Sequence, residues 1–380
     1  MKKFAALVFL IIIGGGVLFA QLPSGLGLGG WARYVFTPIG GSGTFGEGFS
    51  GWDDMYIRNQ SNQNWLFPTR GKVGLATWGN SEFVGFNFDF AYEDGALRVG
   101  DQAKVWVRPH HSVMLHMGRI EGNRLRSRIR GGRLTYTEEE NDLFTRFMVP
   151  HGILVDWDPI ENLFIGFSLN ASTPHGHRYA FRDAFHWDSP ENNYQIGIGY
   201  QFNFGHLRAQ LLANNGGIWT GKPLQVAFEY TDIHNMIIEA GVLFPLAPID
   251  TSPARATVAF QHESHQWEIM GRGTIVWYPE LREAGTRLKL GAVVKYTINF
   301  PLFVGVEAAY ISSWEPFNQQ DDSIPPVVGA EDLFQIAPFV GFRYGRGELR
   351  FALHWQQNFR GDDGRNFRFE VPIMLEVRFF

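Results

Sequence analysis

Segment after segment, this chain alternates apolar and polar residues with period two, and nothing else in it limits the fold as sharply. Such alternation marks a strand whose two faces meet different surroundings. In the last segment Phe367, Phe369, Val371, Ile373, Leu375, Val377 and Phe379 share one face, and Arg368, Glu370, Met374, Glu376 and Arg378 share the other. Leu349, Phe351, Leu353 and Trp355 stand likewise against Glu348, Arg350, His354 and Gln356, and Leu288, Leu290, Ala292, Val294 and Tyr296 against Arg287, Lys289 and Lys295. A soluble sandwich alternates too, so length must decide. The segments run about nine to twelve residues, enough for a tilted strand to cross a bilayer, whereas soluble strands average about five or six. Aromatics gather at segment ends, at Tyr92, Trp157, Tyr200, Tyr230, Trp277, Tyr296, Tyr310 and Tyr344, as in the girdles at a membrane's two interfaces.

About eighteen such segments can be placed, beginning near residues 28, 70, 82, 102, 112, 150, 162, 193, 206, 223, 235, 254, 267, 286, 302, 333, 348 and 367. Sixteen results if the first, or one within 130–149, is miscounted. The connections alternate in length. Short turns fall at Asn80-Ser81, His110-His111, Pro159-Ile160-Glu161, Phe204-Gly205, Ile233-His234, Ser264-His265, Phe300-Pro301 and Gly345-Arg346-Gly347. Longer loops fall near 37–69, 93–101, 120–149, 171–192, 214–222, 245–253, 278–285, 312–332 and 358–366. The expected fold is all-β: a transmembrane antiparallel up-and-down β-barrel with short periplasmic turns and long extracellular loops.

Lys2 and Lys3 followed by an apolar run from Phe4 to Phe19, then Ala20 and Gln21, have the layout of a secretory signal peptide over 1–20, leaving 21–380 as one barrel domain. Export to the cell outer membrane is expected. Only Gln21 to about Leu26 precede the first strand, too little for a plug inside the barrel. The chain has no cysteine, which excludes disulfides, thiolate metal sites and a lipidated N-terminus. The formal charge of −5, about −7 without Lys2 and Lys3, gives no reason to expect nucleic acid. His110-His111 and His175-Gly176-His177 lack a third ligand at a metal spacing, and Asp321-Asp322 and Asp362-Asp363-Gly364 lack that of a calcium loop. No metal, cofactor or catalytic residue is assigned, and the chain is not expected to be an enzyme; Ser168 on the inner face has no specifically placed histidine beside it.

The signal peptide, the missing cysteine, the alternating strands and the terminal aromatic resemble bacterial outer-membrane porins, over the whole mature chain and as a pattern. The apolar phase ends on Phe379 rather than on the terminal Phe380. Gly29-Gly30-Trp31-Ala32-Arg33 and Ala103-Lys104-Val105-Trp106-Val107-Arg108-Pro109 are also similar to outer-membrane proteins of spirochaetes. The resemblance implies outer-membrane lipid, lipopolysaccharide or its equivalent, the outer-membrane insertion machinery and small hydrophilic solutes as partners, with a homotrimer as the common assembly.

Sixteen or eighteen strands enclose an aqueous channel. The water-facing phase carries Arg33, Arg255, Arg272, Arg287, Lys289, Lys295, Arg343, Arg350, Arg368 and Arg378, expected to form one basic wall where the first and last strands meet and to favour anions. The competing expectation is that these charges pair with neighbours, as Glu348 with Arg368. The third long loop holds Arg124, Arg126, Arg128 and Arg130 with period two, then Glu138, Glu139, Glu140 and Asp142. In the resembled porins that loop folds inward and sets the constriction; the alternative is a solvated hairpin outside. The function expected is passive diffusion of small hydrophilic solutes. Inward Trp31, Phe83, Trp106, Phe164, Phe303 and Phe339 keep open a transporter of hydrophobic or sugar substrates, and the loops at 37–69 and 312–332 keep open a surface adhesin or receptor.

Overall fold

The computed structural model describes residues 25–44, 48–52, 56–58, 72–93, 96–122, 124–125, 129, 147–170, 193–214, 223–247, 254–280, 286–312, 332–357 and 367–379. Residues 1–20, read from the sequence as a signal peptide, and most of the expected long loops lie outside them. The chain begins with β1 (Leu26–Thr44), β2 (Gly48–Trp52) and β3 (Tyr56–Arg58). The wall continues through β4 (Lys72–Asn80), β5 (Val84–Glu93), β6 (Ala96–His110), β7 (Val113–Gly122), β8 (Phe147–Ile160) and β9 (Leu163–Asn170). Next come β10 (Asn193–Phe202), β11 (Gly205–Asn214), β12 (Pro223–Tyr230), β13 (Met236–Pro245), β14 (Ala254–Glu263) and β15 (Trp267–Trp277). The last are β16 (Thr286–Asn299), β17 (Leu302–Ile311), β18 (Leu333–Tyr344), β19 (Gly347–Ala352), β20 (His354–Gln357) and β21 (Phe367–Phe379).

From β4 onward each strand pairs antiparallel with its sequence neighbour, β19 and β20 acting as one strand interrupted at Leu353. β1 then pairs with β21, from Gly30 opposite Phe379 to Gly43 opposite Phe367, and the sheet closes into an 18-strand barrel. No helix among the described residues is long and apolar enough to cross a membrane. The strands are what cross.

Two expected loops turn out partly to be strand. β1 continues past Thr37 to Thr44; β2 pairs with Gly41–Thr44 and β3 with Val35–Thr37, on the edge that β4 occupies from Leu26 to Arg33. The expected loop at 93–101 is a continuation of the β5–β6 hairpin: Phe90 stands opposite Val99 and Glu93 opposite Ala96, past a bulge at Asp89. Leu97 and Val99 keep the outward apolar phase, which is why the ladder extends. The eight short turns fall where expected. Two are sealed by serine: Ser81 Oγ accepts from Val84 N at 3.2 Å, and Ser264 Oγ from Trp267 N at 3.0 Å. A third holds His110, whose Nδ1 lies 2.8 Å from Ser112 Oγ. Asn162 closes the β8–β9 turn with φ of 67°, a conformation asparagine tolerates better than most residues.

The burial of the two faces is inverted relative to a soluble protein. Val242, Phe244, Val258, Phe260, Ile196, Ile198 and Leu290 are exposed, while Gln195, Gln225, Glu229, Glu239, Lys289, Glu307 and Gln356 are buried. The apolar side is turned outward to face hydrocarbon, and the polar side encloses the lumen. The end-of-strand aromatics Trp157, Tyr200 and Tyr344 stand on the outer face. Phe83 belongs to the turn before β5 and is 61% exposed, so it does not line the lumen as the alternation suggested. Val258, near the middle of β14, is 57% exposed. Val258→Arg should therefore cost about 2–4 kcal/mol of unfolding free energy in lipid vesicles, as expected for an arginine at mid-bilayer. Equal stability in a denaturant titration would contradict a lipid-facing β14.

Candidate functional site

Strand register decides which inner-face charges meet. On β14, β15 and β16, Arg255 and Arg287 both stand opposite Val276, and the next inward row is Thr257, Thr274 and Lys289. Thr257 and Thr274 share a hydrogen bond of 3.0 Å. Arg272 follows one row further along, opposite Ala259 and Gly291. Arg255, Arg272, Arg287 and Lys289 therefore form one basic patch on three adjacent strands.

The remaining expected cations are divided differently. Lys295 is bonded to Glu268, directly opposite it on β15, and lies 5.3 Å from the Phe303 ring centre. Glu348 holds both Arg343, its cross-strand neighbour, at 2.6 Å and Arg350 at 2.5 Å. Arg368 pairs with Glu370 at 2.6 Å and Arg378 with Glu376 at 2.7 Å. The pairing of Glu348 with Arg368 does not form, because the register sets Arg368 opposite Gln356 and Glu348 opposite Glu376. Three of these pairs join residues two apart on one strand, Glu348 with Arg350, Arg368 with Glu370 and Glu376 with Arg378. Residues so spaced share a face, so the sequence itself carried that signal. Arg33 stands opposite Glu376 and Lys72 in the backbone register.

The start of the third long connection enters the barrel. β7 bulges at Gly118, whose φ of 123° no residue with a side chain adopts readily. Beyond Gly122 the chain turns inward, and Arg124 forms a two-pronged ion pair with Asp158 at 2.8 and 2.6 Å, close to the short turn that ends β8. Its guanidinium lies 4.2 Å from the Phe164 ring centre. Leu125 is 0% exposed, packed with Ile120, Val149, Leu154, Phe164 and Ala227. Its carbonyl accepts a hydrogen bond from Arg208 Nη1 at 3.2 Å. Ile129 is also buried, and its carbonyl accepts from Arg272 Nη2 at 3.4 Å. The segment is thus held at three places around the inner wall, on β8, β11 and β15.

Arg208 is the centre of this anchorage. It ion-pairs with Glu239 on β13 and lies 3.8 Å from Glu229 on β12, and all three side chains are buried. The Leu125 carbonyl takes one of the five guanidinium N–H groups. Arg126, Arg128, Arg130, Glu138, Glu139, Glu140 and Asp142 lie outside the described residues. Sequence reasoning singled out the arginines of this segment and missed their apolar alternates Leu125 and Ile129, which fall on the other phase of the same period two. It also missed Asp158. Three or more His, Asp or Glu in a metal-binding arrangement are not found among the described residues.

No family model matches the chain and no characterised protein matches it in sequence. Its fold is that of outer-membrane porins. It is similar to OccD3 (OpdP) of Pseudomonas aeruginosa, at TM-score 0.53 and 11% identity, covering 94% of this chain and 92% of that one. It is similar to OprB of Pseudomonas putida, at 0.53 and 11%, covering 96% and 97%. It is also similar to OccAB4 of Acinetobacter baumannii, at 0.52 and 8%, covering 94% and 98%. At such identities what is shared is architecture.

Arg208→Ala should leave Glu229 and Glu239 buried without their counter-ion, a loss of about 3–5 kcal/mol, and free the Leu125 carbonyl. Limited proteolysis of the folded barrel should then cut within 126–146 faster than in the parent. An unchanged cleavage rate would show that Arg208 does not hold the segment.

Proposed function

We propose that this chain is an outer-membrane porin, a passive channel through which small hydrophilic solutes diffuse down their gradients. The observation that carries this reading is the inverted wall: an 18-strand barrel with a charged, hydrogen-bonding inner face and an apolar outer one. A barrel of that size is too wide to be filled by its own wall side chains. Solute passage then depends on what projects from the wall, and the inward segment from Arg124 is the natural constriction, its arginines and the acidic run after them setting pore width. The basic patch of Arg255, Arg272, Arg287 and Lys289 gives a modest preference for anions. Pairing of Lys295, Arg343, Arg350, Arg368 and Arg378 with glutamates keeps it modest, since a neutralised pair contributes little long-range field. A signal peptide over residues 1–20, delivery by the insertion machinery and residence among outer-membrane lipid and lipopolysaccharide belong to the same reading.

Purified protein in planar bilayers should give stable ohmic conductance. Deleting residues 126–142 should raise the single-channel value, and Arg287→Glu with Lys289→Glu should move the reversal potential in a salt gradient toward cation preference. A folded barrel that conducts nothing would overturn the channel. An unchanged conductance after the deletion would remove the segment from the constriction, and an unmoved reversal potential would remove the patch from selectivity.

A further inference from the structure

On the inner face of β1, β4, β5 and β6, three tryptophans lie over glycines of neighbouring strands. Trp78 stands opposite Gly27, Trp31 opposite Gly74 and Trp106 opposite Gly85. In each case the ring occupies the space where a Cβ of the glycine would sit. Their side of the wall follows from their neighbours, since Leu26, Val84, Val105 and Val107 of the alternate phase are exposed outward. Trp78 is 39% exposed on this inner side, and Trp31 and Trp106 are half-buried. The rings form a staircase: Trp31 at the level of Gly74, Trp78 four residues along β4, and Trp106 at the level of Gly85 beside Asn80. At about 3.4 Å per residue the three steps span roughly 20 Å of strand.

Hydrogen-bonding groups interleave with the rings. Asn87, opposite Trp78, donates to Gln102 Oε1 at 3.2 Å, while its own Oδ1 is buried without a hydrogen-bond partner. His116, opposite Trp106, lies 3.2 Å from Asp156, and both His116 Nδ1 and Asp156 Oδ1 are likewise buried without one. Lys104 and Asp89 complete a sector of mixed charge, and Arg108 sits 5.7 Å from the Trp106 ring centre.

We propose that this shelf is a binding track for neutral sugars in their ring form. The inference rests on the channel reading and names one solute class for it. A pyranose has an apolar face of axial C–H bonds that stacks on an indole and a rim of hydroxyls that both donate and accept. The shelf offers aromatic faces with the half-buried carboxylate of Asp89 and the cationic groups of Lys104 and Arg108 among them. A hydrocarbon solute would cover the half-buried charged groups of Asp89, Lys104 and Arg108 without matching them. A simple anion would meet Asp89 and Asp156 here as well as Lys104 and Arg108, whereas Arg255, Arg272, Arg287 and Lys289 stand together on β14 to β16. The competing account, that the rings only cover strand glycines to keep the sheet intact, makes a different forecast for sugar.

The test uses maltose on the full-length protein in planar bilayers, each current scaled to that variant's sugar-free value. Maltose should reduce the parent's current reversibly and saturably. Trp78→Ala and Trp106→Ala should each raise the half-blocking concentration by about three- to tenfold, the loss of one stacking contact, and Trp78→Phe should retain most of the block. Block that is equal in parent and alanine variants, or absent from a conducting parent, would overturn the track and leave the channel standing. A parent without sugar-free current would overturn the channel reading instead. In that event tryptophan fluorescence of the detergent-folded protein, titrated with maltose, still decides: a saturable change lost in the double alanine variant supports the track, and a flat titration refutes it.

Discussion

Hydrocarbon offers no partner for a peptide N–H or C=O, so a chain crossing it must satisfy every backbone group from within. A sheet can do so only by closing, and the pairing of β1 with β21 is where that requirement is met. The rest follows from it. Closure fixes an outside and an inside; lipid then demands apolar residues on alternate positions of every strand, and the other half of each strand is free to be polar. The buried glutamates, glutamines and lysines of the inner face are therefore a product of the geometry rather than exceptions to it.

An inner face released from hydrophobic packing can be specialised by sector. On β11 to β13 one arginine and two glutamates are withdrawn from water to grip a passing segment of main chain. Such a buried triad is costly to desolvate and adds less to stability than its Coulomb attraction suggests. Its evident use is positional: it fixes where the segment crosses. On β17 to β21 the cations are paired with glutamates, and two of them, Arg343 and Arg350, also lie 5.8 Å from the Phe303 ring centre, Arg350 being 5.1 Å from that of Phe339. On β14 to β16 Arg255, Arg272, Arg287 and Lys289 lie together, and on β1 to β6 three indoles stand among charges of both signs. One wall thus presents four surfaces to a solute.

The strands and their two faces were legible because a bilayer enforces period two with little tolerance, and the start of nearly every strand is marked by where that phase begins. Loop length was less legible. Leu97 and Val99 continue the outward phase, yet Gly100 and Asp101 between them and the next apolar residues read as a break, which the sheet absorbs as part of a long β6. Charge partners depend on register between strands as much as on sequence, so Lys295 with Glu268 could not be read, whereas Glu376 with Arg378 could. Inward entry of the segment after β7 came only from resemblance, since Leu125 and Ile129 have the same alternation in a solvated hairpin. Trp78 was overlooked because it sits beside a turn, where an aromatic ordinarily belongs to an interface girdle; only its position opposite Gly27 turns it inward.

The seam also governs how such a barrel comes to exist. Hairpins from β4 to β18 join residues close in sequence and can form early, but Leu26–Thr44 and Phe367–Phe379 are separated by almost the whole chain. Contacts that distant form slowly, since the loop entropy is lost before the pairing returns anything. Until β21 arrives, the first strand keeps an open edge able to pair with any other strand it meets. Safe assembly therefore depends on holding that edge apart until the thirteen residues of β21 are delivered.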